Sequence, residues 1–112
     1  MNIVSELHIA ATVLRVSGEL TSEEADNFKR STRESTNNFE TDIVVDCSEL
    51  TLIDSVGLES LLWLSDETRS QRHRFRLACV PEMVTKILRL TRLDGAFSTH
   101  NTIEEAAKSL NT

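Results

Sequence analysis

The chain has 112 residues, enough for one compact domain spanning 1–112 and too few for two separate cores, with 39% hydrophobic and 27% charged residues. A formal net charge of −6 argues against direct nucleic-acid binding, and four Phe, one Trp and no Tyr provide little for a base- or sugar-stacking platform. No apolar run approaches the roughly 20 residues of a membrane span, and the N-terminal Met-Asn-Ile-Val-Ser-Glu lacks a signal peptide's basic start, so a cytoplasmic location without membrane insertion is expected.

Along the chain, a short strand is predicted near Ile3 and Val4 and a clearer one over Ala11–Val16, which Gly18 breaks. Thr21 with Glu24 three residues later reads as a capping box, opening a helix to about Asn37. Its apolar stripe is thin, chiefly Ala25 and Phe28, so the helix is expected to lie largely exposed. Asp42 to Cys47 is a β-branched run of the kind found in strands covered on both faces. A loop through Leu50 and Leu52 leads to Asp54, after which Leu58, Leu61, Leu62 and Ser65 recur at helical spacing to about Ser70.

Phe75 to Val80 alternates as a further strand, and Pro81 suits the first turn of a third helix with Val84, Ile87, Leu88 and Thr91 on one face. Thr102 and Glu105 cap a last helix carrying Ile103, Ala106, Ala107 and Leu110. Strands separated by helices imply an α/β fold, a mixed but mostly parallel sheet of four to five strands packed against about four helices.

In such sheets ligands gather beyond the carboxyl ends of the strands. There the chain places Asp54-Ser55-Val56-Gly57, at the start of the second predicted helix. Asp and Ser are both favoured N-caps, so the tetrapeptide alone reads first as a helix cap and decides nothing about function. Its surroundings separate the two. Residues 48–62, Ser-Glu-Leu-Thr-Leu-Ile-Asp-Ser-Val-Gly-Leu-Glu-Ser-Leu-Leu, resemble the signature of the STAS domain of bacterial anti-sigma factor antagonists. Val16-Ser17-Gly18-Glu19-Leu20 is similar to the family's early strand and turn, and Val80 to Asp94 to its third helix and the segment after it. The resemblance runs from about residue 11 to residue 110.

It implies a STAS-like fold and a phosphorylation-controlled protein-binding switch rather than an enzyme. Ser55 would be the phosphoacceptor, and Asp54, Ser55, Val56, Gly57, Leu58 and Thr21 the partner-binding surface. The implied partners are an anti-sigma factor serine kinase, bound in the unphosphorylated form, and a PP2C-type phosphatase acting on the phosphorylated form. No cofactor is implied. Two positions depart from the family pattern: Thr21 replaces an acidic residue after Gly-Glu-Leu, and Arg92 replaces a helix-ending glycine.

Other readings carry less. STAS domains also brace membrane transport assemblies, including lipid-trafficking ATP-binding cassette systems, a role that needs no phosphate on Ser55. A nucleotide-binding module would want more glycine than residues 18, 57 and 95 supply. His8, His73 and His100 have no ligand-like spacing, and Cys47 and Cys79 form no Cys-X-X-Cys pair. The two cysteines are expected as buried free thiols, a disulfide being possible if their strands are neighbours. Arg69, Arg72, Arg74 and Arg76 read as a solvated helix end, and Trp63 as core or groove packing.

Overall fold

The computed structural model describes residues 1–8 and 11–110, with only the backbone of His8. Six strands form one mixed sheet: β1 (Asn2–His8), β2 (Ala11–Leu20), β3 (Asp42–Asp46), β4 (Leu50–Ile53), β5 (Phe75–Ala78) and β6 (Thr99–His100). The order is β1-β2-β3-β5-β6, with β4 pairing β2; β1 is antiparallel to β2 and all other pairs are parallel. The helices are α1 (Ala25–Ser35), α2 (Ser55–Ser70), α3 (Glu82–Leu90) and α4 (Ile103–Ser109), with a 3-10 turn at Ser22–Glu24 before α1.

Side chains alternate across the sheet and meet two cores. Leu14 and Val16 of β2, Ile43 and Val45 of β3 and Phe75 and Leu77 of β5 share the larger one with Phe28 of α1, Leu58, Leu61 and Leu64 of α2 and Val84 and Leu88 of α3. On the other face Ala11, Val13, Val44 and Ala78 pack against Ala106 and Leu110 of α4 and its end. Residues 43–47 are all buried, as their β-branched run predicts for a strand covered on both sides.

Four local expectations need correction. Gly18 does not end β2. It takes φ +86° at a register shift, and the strand runs on to Leu20. That shift is a bulge in β4, where Thr51 has no partner on β2; the chain leaving β3 pairs β2 a second time as β4, where the sequence predicts a loop. The capping box at Thr21 does not form: Glu24 N–H bonds to the Thr21 carbonyl, the Thr21 side chain caps nothing, and the chain enters α1 through the 3-10 turn. Strand β5 stops at Ala78 because Cys79 adopts φ +56°.

That left-handed residue inverts the alternation. Cys79 joins the α4 side while Val80 returns to the larger core. Cys47 lies on the opposite face, so although the strands are neighbours the two thiols are free. Burial pushes the Cys47 thiol up to about 12, out of reach of thiolate chemistry.

Three helices end alike. Leu93 N–H bonds to Leu88 O and Arg92 N–H to Arg89 O; His73 and Arg72 repeat this on Thr68 and Arg69, and Asn38 and Asn37 on Arg33 and Glu34. Each is a Schellman ending with a left-handed residue, Arg92 (φ 60°), Arg72 (φ 65°) or Asn37 (φ 51°), where glycine is usual. Arg92 therefore keeps the turn that a family glycine would make. The arginines beyond α2 do more than sit in solvent: Arg74 bonds to the Leu110 carbonyl and Arg76 Nε to Ser109 Oγ (3.0 Å), tying β5 to the end of α4.

Candidate functional site

The site forms where β2 and β4 end and two helices begin. Asp54 leaves β4 extended (φ −105°, ψ −175°) and is the N-cap of α2. Its Oδ1 accepts the Gly57 N–H at 2.8 Å, and its Oδ2 accepts the N–H of Ser22 at 3.0 Å, 32 positions away in sequence. One carboxylate thus satisfies orphan donors at the start of α2 and at the start of the 3-10 turn that leads into α1. The Gly57 N–H first, then that of Ser22, hold the Asp54 carboxyl below its ordinary value, because both bond only to the charged form.

With Asp54 as the cap, Ser55 is left over. It is the first residue of α2, it is exposed, and among the described residues its hydroxyl has no hydrogen-bond partner. Capping therefore accounts for the aspartate and not for the serine.

Gly57 is buried against the end of β2. A Cβ there would collide with the Leu20 carbonyl oxygen and lie 2.8 Å from Cγ1 of Ile53, so only glycine lets α2 start this close to the sheet. The Asp54 N–H reaches the same carbonyl at 3.4 Å. Leu58 is 4% exposed and belongs to the core beside Leu20 and Ile53. Of the residues singled out from sequence, Asp54, Ser55, Val56 and Thr21 thus reach the surface at least in part, whereas Gly57 and Leu58 set its shape from below.

Two surface residues escaped the sequence reading. Ser22 has no local signal, since its N–H meets Asp54 only through the fold. Leu52 shares parity with buried Leu50, but the register shift between Gly18 and Glu19 turns it outward. Upstream, Asp46 closes the turn into β4. Burial would raise its pKa, but hydrogen bonds from the Ser48 N–H (3.0 Å) and Arg15 Nε (3.0 Å) more than reverse this and hold it low. Among the described residues no group of His, Cys, Asp and Glu is arranged to hold a metal, and no helix is long and apolar enough to cross a membrane.

The family model for the STAS domain matches residues 2–106. A Thermotoga maritima protein, assigned as an anti-sigma factor antagonist, superposes with TM-score 0.88 at 24% identity, over 98% of this chain and 95% of that one. The anti-sigma factor antagonist SpoIIAA in its unphosphorylated form gives TM-score 0.77 at 20% identity, over 98% of this chain and 96% of that one. The phosphorylated form of SpoIIAA, from Bacillus, gives 0.67 at 22% identity, over 96% of this chain and 98% of that one. At such identities these likenesses establish the shared fold.

Proposed function

This chain belongs to the STAS domain family, and from that membership and the geometry around Ser55 we propose that it is an anti-sigma factor antagonist, a phosphorylation-controlled binding switch with no catalysis of its own. Unphosphorylated, it binds a cognate anti-sigma factor serine kinase in the cytoplasm and so regulates sigma-factor-dependent transcription. The kinase phosphorylates Ser55, and a PP2C-type phosphatase restores the binding form. The contact surface is built from Thr21, Asp54, Ser55 and Val56 on the framework of Gly57 and Leu58.

One observation carries this reading: both oxygens of Asp54 are committed to backbone N–H groups while the neighbouring Ser55 hydroxyl is exposed and structurally idle. Nothing among the described residues uses that hydroxyl, so modifying it need not disturb the fold. A phosphate would add about −1.5 to −2 charges at the N-terminus of a 16-residue helix, where the dipole favours them. A partner pressed onto the same spot must then desolvate that charge beside the Asp54 carboxylate. About 1.4 kcal/mol of such cost weakens binding tenfold.

The test is partner capture from host lysate by wild type, Ser55→Ala and Ser55→Asp, followed by incubation of the captured material with ATP. Wild type and alanine retaining a kinase that aspartate loses, with phosphate mapped to Ser55 of wild type, supports the switch. Equal capture of one transporter subunit by all three assigns the domain to a structural role.

A further inference from the structure

The two edges of the sheet are unequal. On one side the sheet ends in β6, two residues long, and a short edge offers little to pair with. On the other it ends in β1, seven residues without proline or a bulge, which pairs only with β2 among the described residues. Two of the molecule's exposed large apolar side chains lie on this edge strand, Leu7 (77% exposed) and Val4 (52%). A long, regular, apolar edge is the template that natural proteins usually blunt.

We propose that β1 is a dimerisation edge, pairing antiparallel with β1 of a second copy about a two-fold axis through Ser5. This does not depend on the functional reading of Ser55.

The argument for a second copy is that the strand complements itself in this register. Ser5 faces the second copy's Ser5, Ile3 faces Leu7, and Val4 faces Glu6. Ile3 pairs with Val16 of its own β2 and packs on the larger core. The second copy's Leu7 would therefore extend an apolar row that now stops at Ile3. On the opposite face, Val4 lies beside its own Arg15, so the second copy's Glu6 arrives next to an apolar stem with a cation beyond it. No like charges stand directly opposite each other, and such a clash would oppose pairing. The contact is isologous and closes at two copies.

The geometry also leaves the Ser55 surfaces open. That surface lies at the end of β2, next to the start of β1, since Asn2 pairs with Ser17. Antiparallel pairing sends the two starts to opposite ends of the seam, so both surfaces face outward.

Sedimentation equilibrium and a cross-linking pair test the proposal on the full chain. Wild type is expected to dimerise reversibly. Val4→Glu, which sets a carboxylate against the second copy's Glu6 yet faces Arg15 in its own chain, and Leu7→Lys are each expected to weaken the dimer at least tenfold without lowering the melting temperature. Under mild oxidation Ser5→Cys should form a disulfide-linked dimer, because directly opposed residues bring Cβ atoms to about 4.5–5.5 Å, while Asn2→Cys should not. A wild type that stays monomeric to about 1 mM, lysine and glutamate variants that dimerise like wild type, or Asn2→Cys linking as readily as Ser5→Cys would each overturn it.

Discussion

Gly57 and Leu20 touch backbone to backbone: the first turn of α2 rests on the last carbonyl of β2, with no room for a methyl group between them. Through this contact the parallel sheet dictates where Ser55 stands. Gly57→Ala must displace main chain and not merely a side chain, so a loss at the upper end of the roughly 1–3 kcal/mol typical of overpacking is expected. Urea denaturation followed by the fluorescence of Trp63, the one tryptophan, would measure it, and no loss of stability would show that α2 can shift freely.

Asp54 should matter to stability in proportion to the acceptors it keeps. Asn retains one side-chain oxygen and Ala none, so melting temperatures should fall in the order wild type, Asp54→Asn, Asp54→Ala. Because the folded-state pKa lies below the unfolded value of about 3.9, the ionised group stabilises fully above that value. Its contribution is lost as pH falls through the lowered folded pKa. The gap between wild type and Asp54→Ala should therefore be constant at neutral pH and close in acid; a gap that widened in acid would contradict the hydrogen bonds to Ser22 and Gly57.

Arg72 and Arg92 hold left-handed backbone at two helix ends. A side chain there costs about 1–2 kcal/mol, against the roughly 0.5–1 kcal/mol of backbone entropy that glycine forfeits on folding. Arg72→Gly and Arg92→Gly are thus each expected to stabilise the protein by about 0.5–1 kcal/mol, read as a rise in melting temperature. A fall for Arg92→Gly would mean that its side chain does more than close the turn.

Ser65, buried within α2, has an Oγ without a hydrogen-bond partner among the described residues. Its neighbours Ser60 and Thr68 bond back to the Val56 and Leu64 carbonyls (3.0 and 2.7 Å). Removing an unsatisfied hydroxyl relieves a desolvation cost, so Ser65→Ala should be neutral or stabilising by up to about 1 kcal/mol. Thr68→Val, which deletes a satisfied hydroxyl, should destabilise. The reverse order in thermal melts would disprove this distinction.

Local chemistry made much of this legible. Strands β1, β2, β3 and β5 and all four helices follow from residue patterns because each depends on side chains a few positions apart: β-branched runs that pack between helix layers, leucines on one face of α2, Thr102 Oγ1 bonding to the Glu105 N–H at 3.0 Å to start α4. The Asp-Ser-X-Gly segment stands out as a helix start in the same way, and as a site only through the family resemblance of residues 48–62. Strand β4 was not legible, because Leu50-Thr51-Leu52-Ile53 becomes a strand only by pairing Gly18–Leu20, the stretch of β2 that runs on beyond the end of β3.

Residue pattern alone is enough for the α/β class, for helix starts at Thr102 and at Asp54 or Ser55, and for Ser55 as a candidate. What each residue there does is set by long-range contacts. That the Asp54 cap of α2 also holds the start of the 3-10 turn depends on a donor 32 positions away, whether Gly57 is contact surface or spacer depends on the Leu20 carbonyl, and whether Cys47 can meet Cys79 depends on one left-handed φ. Propensity and periodicity act over a turn or two of chain, whereas these outcomes are set by sheet register, which brings together residues that carry no local record of one another.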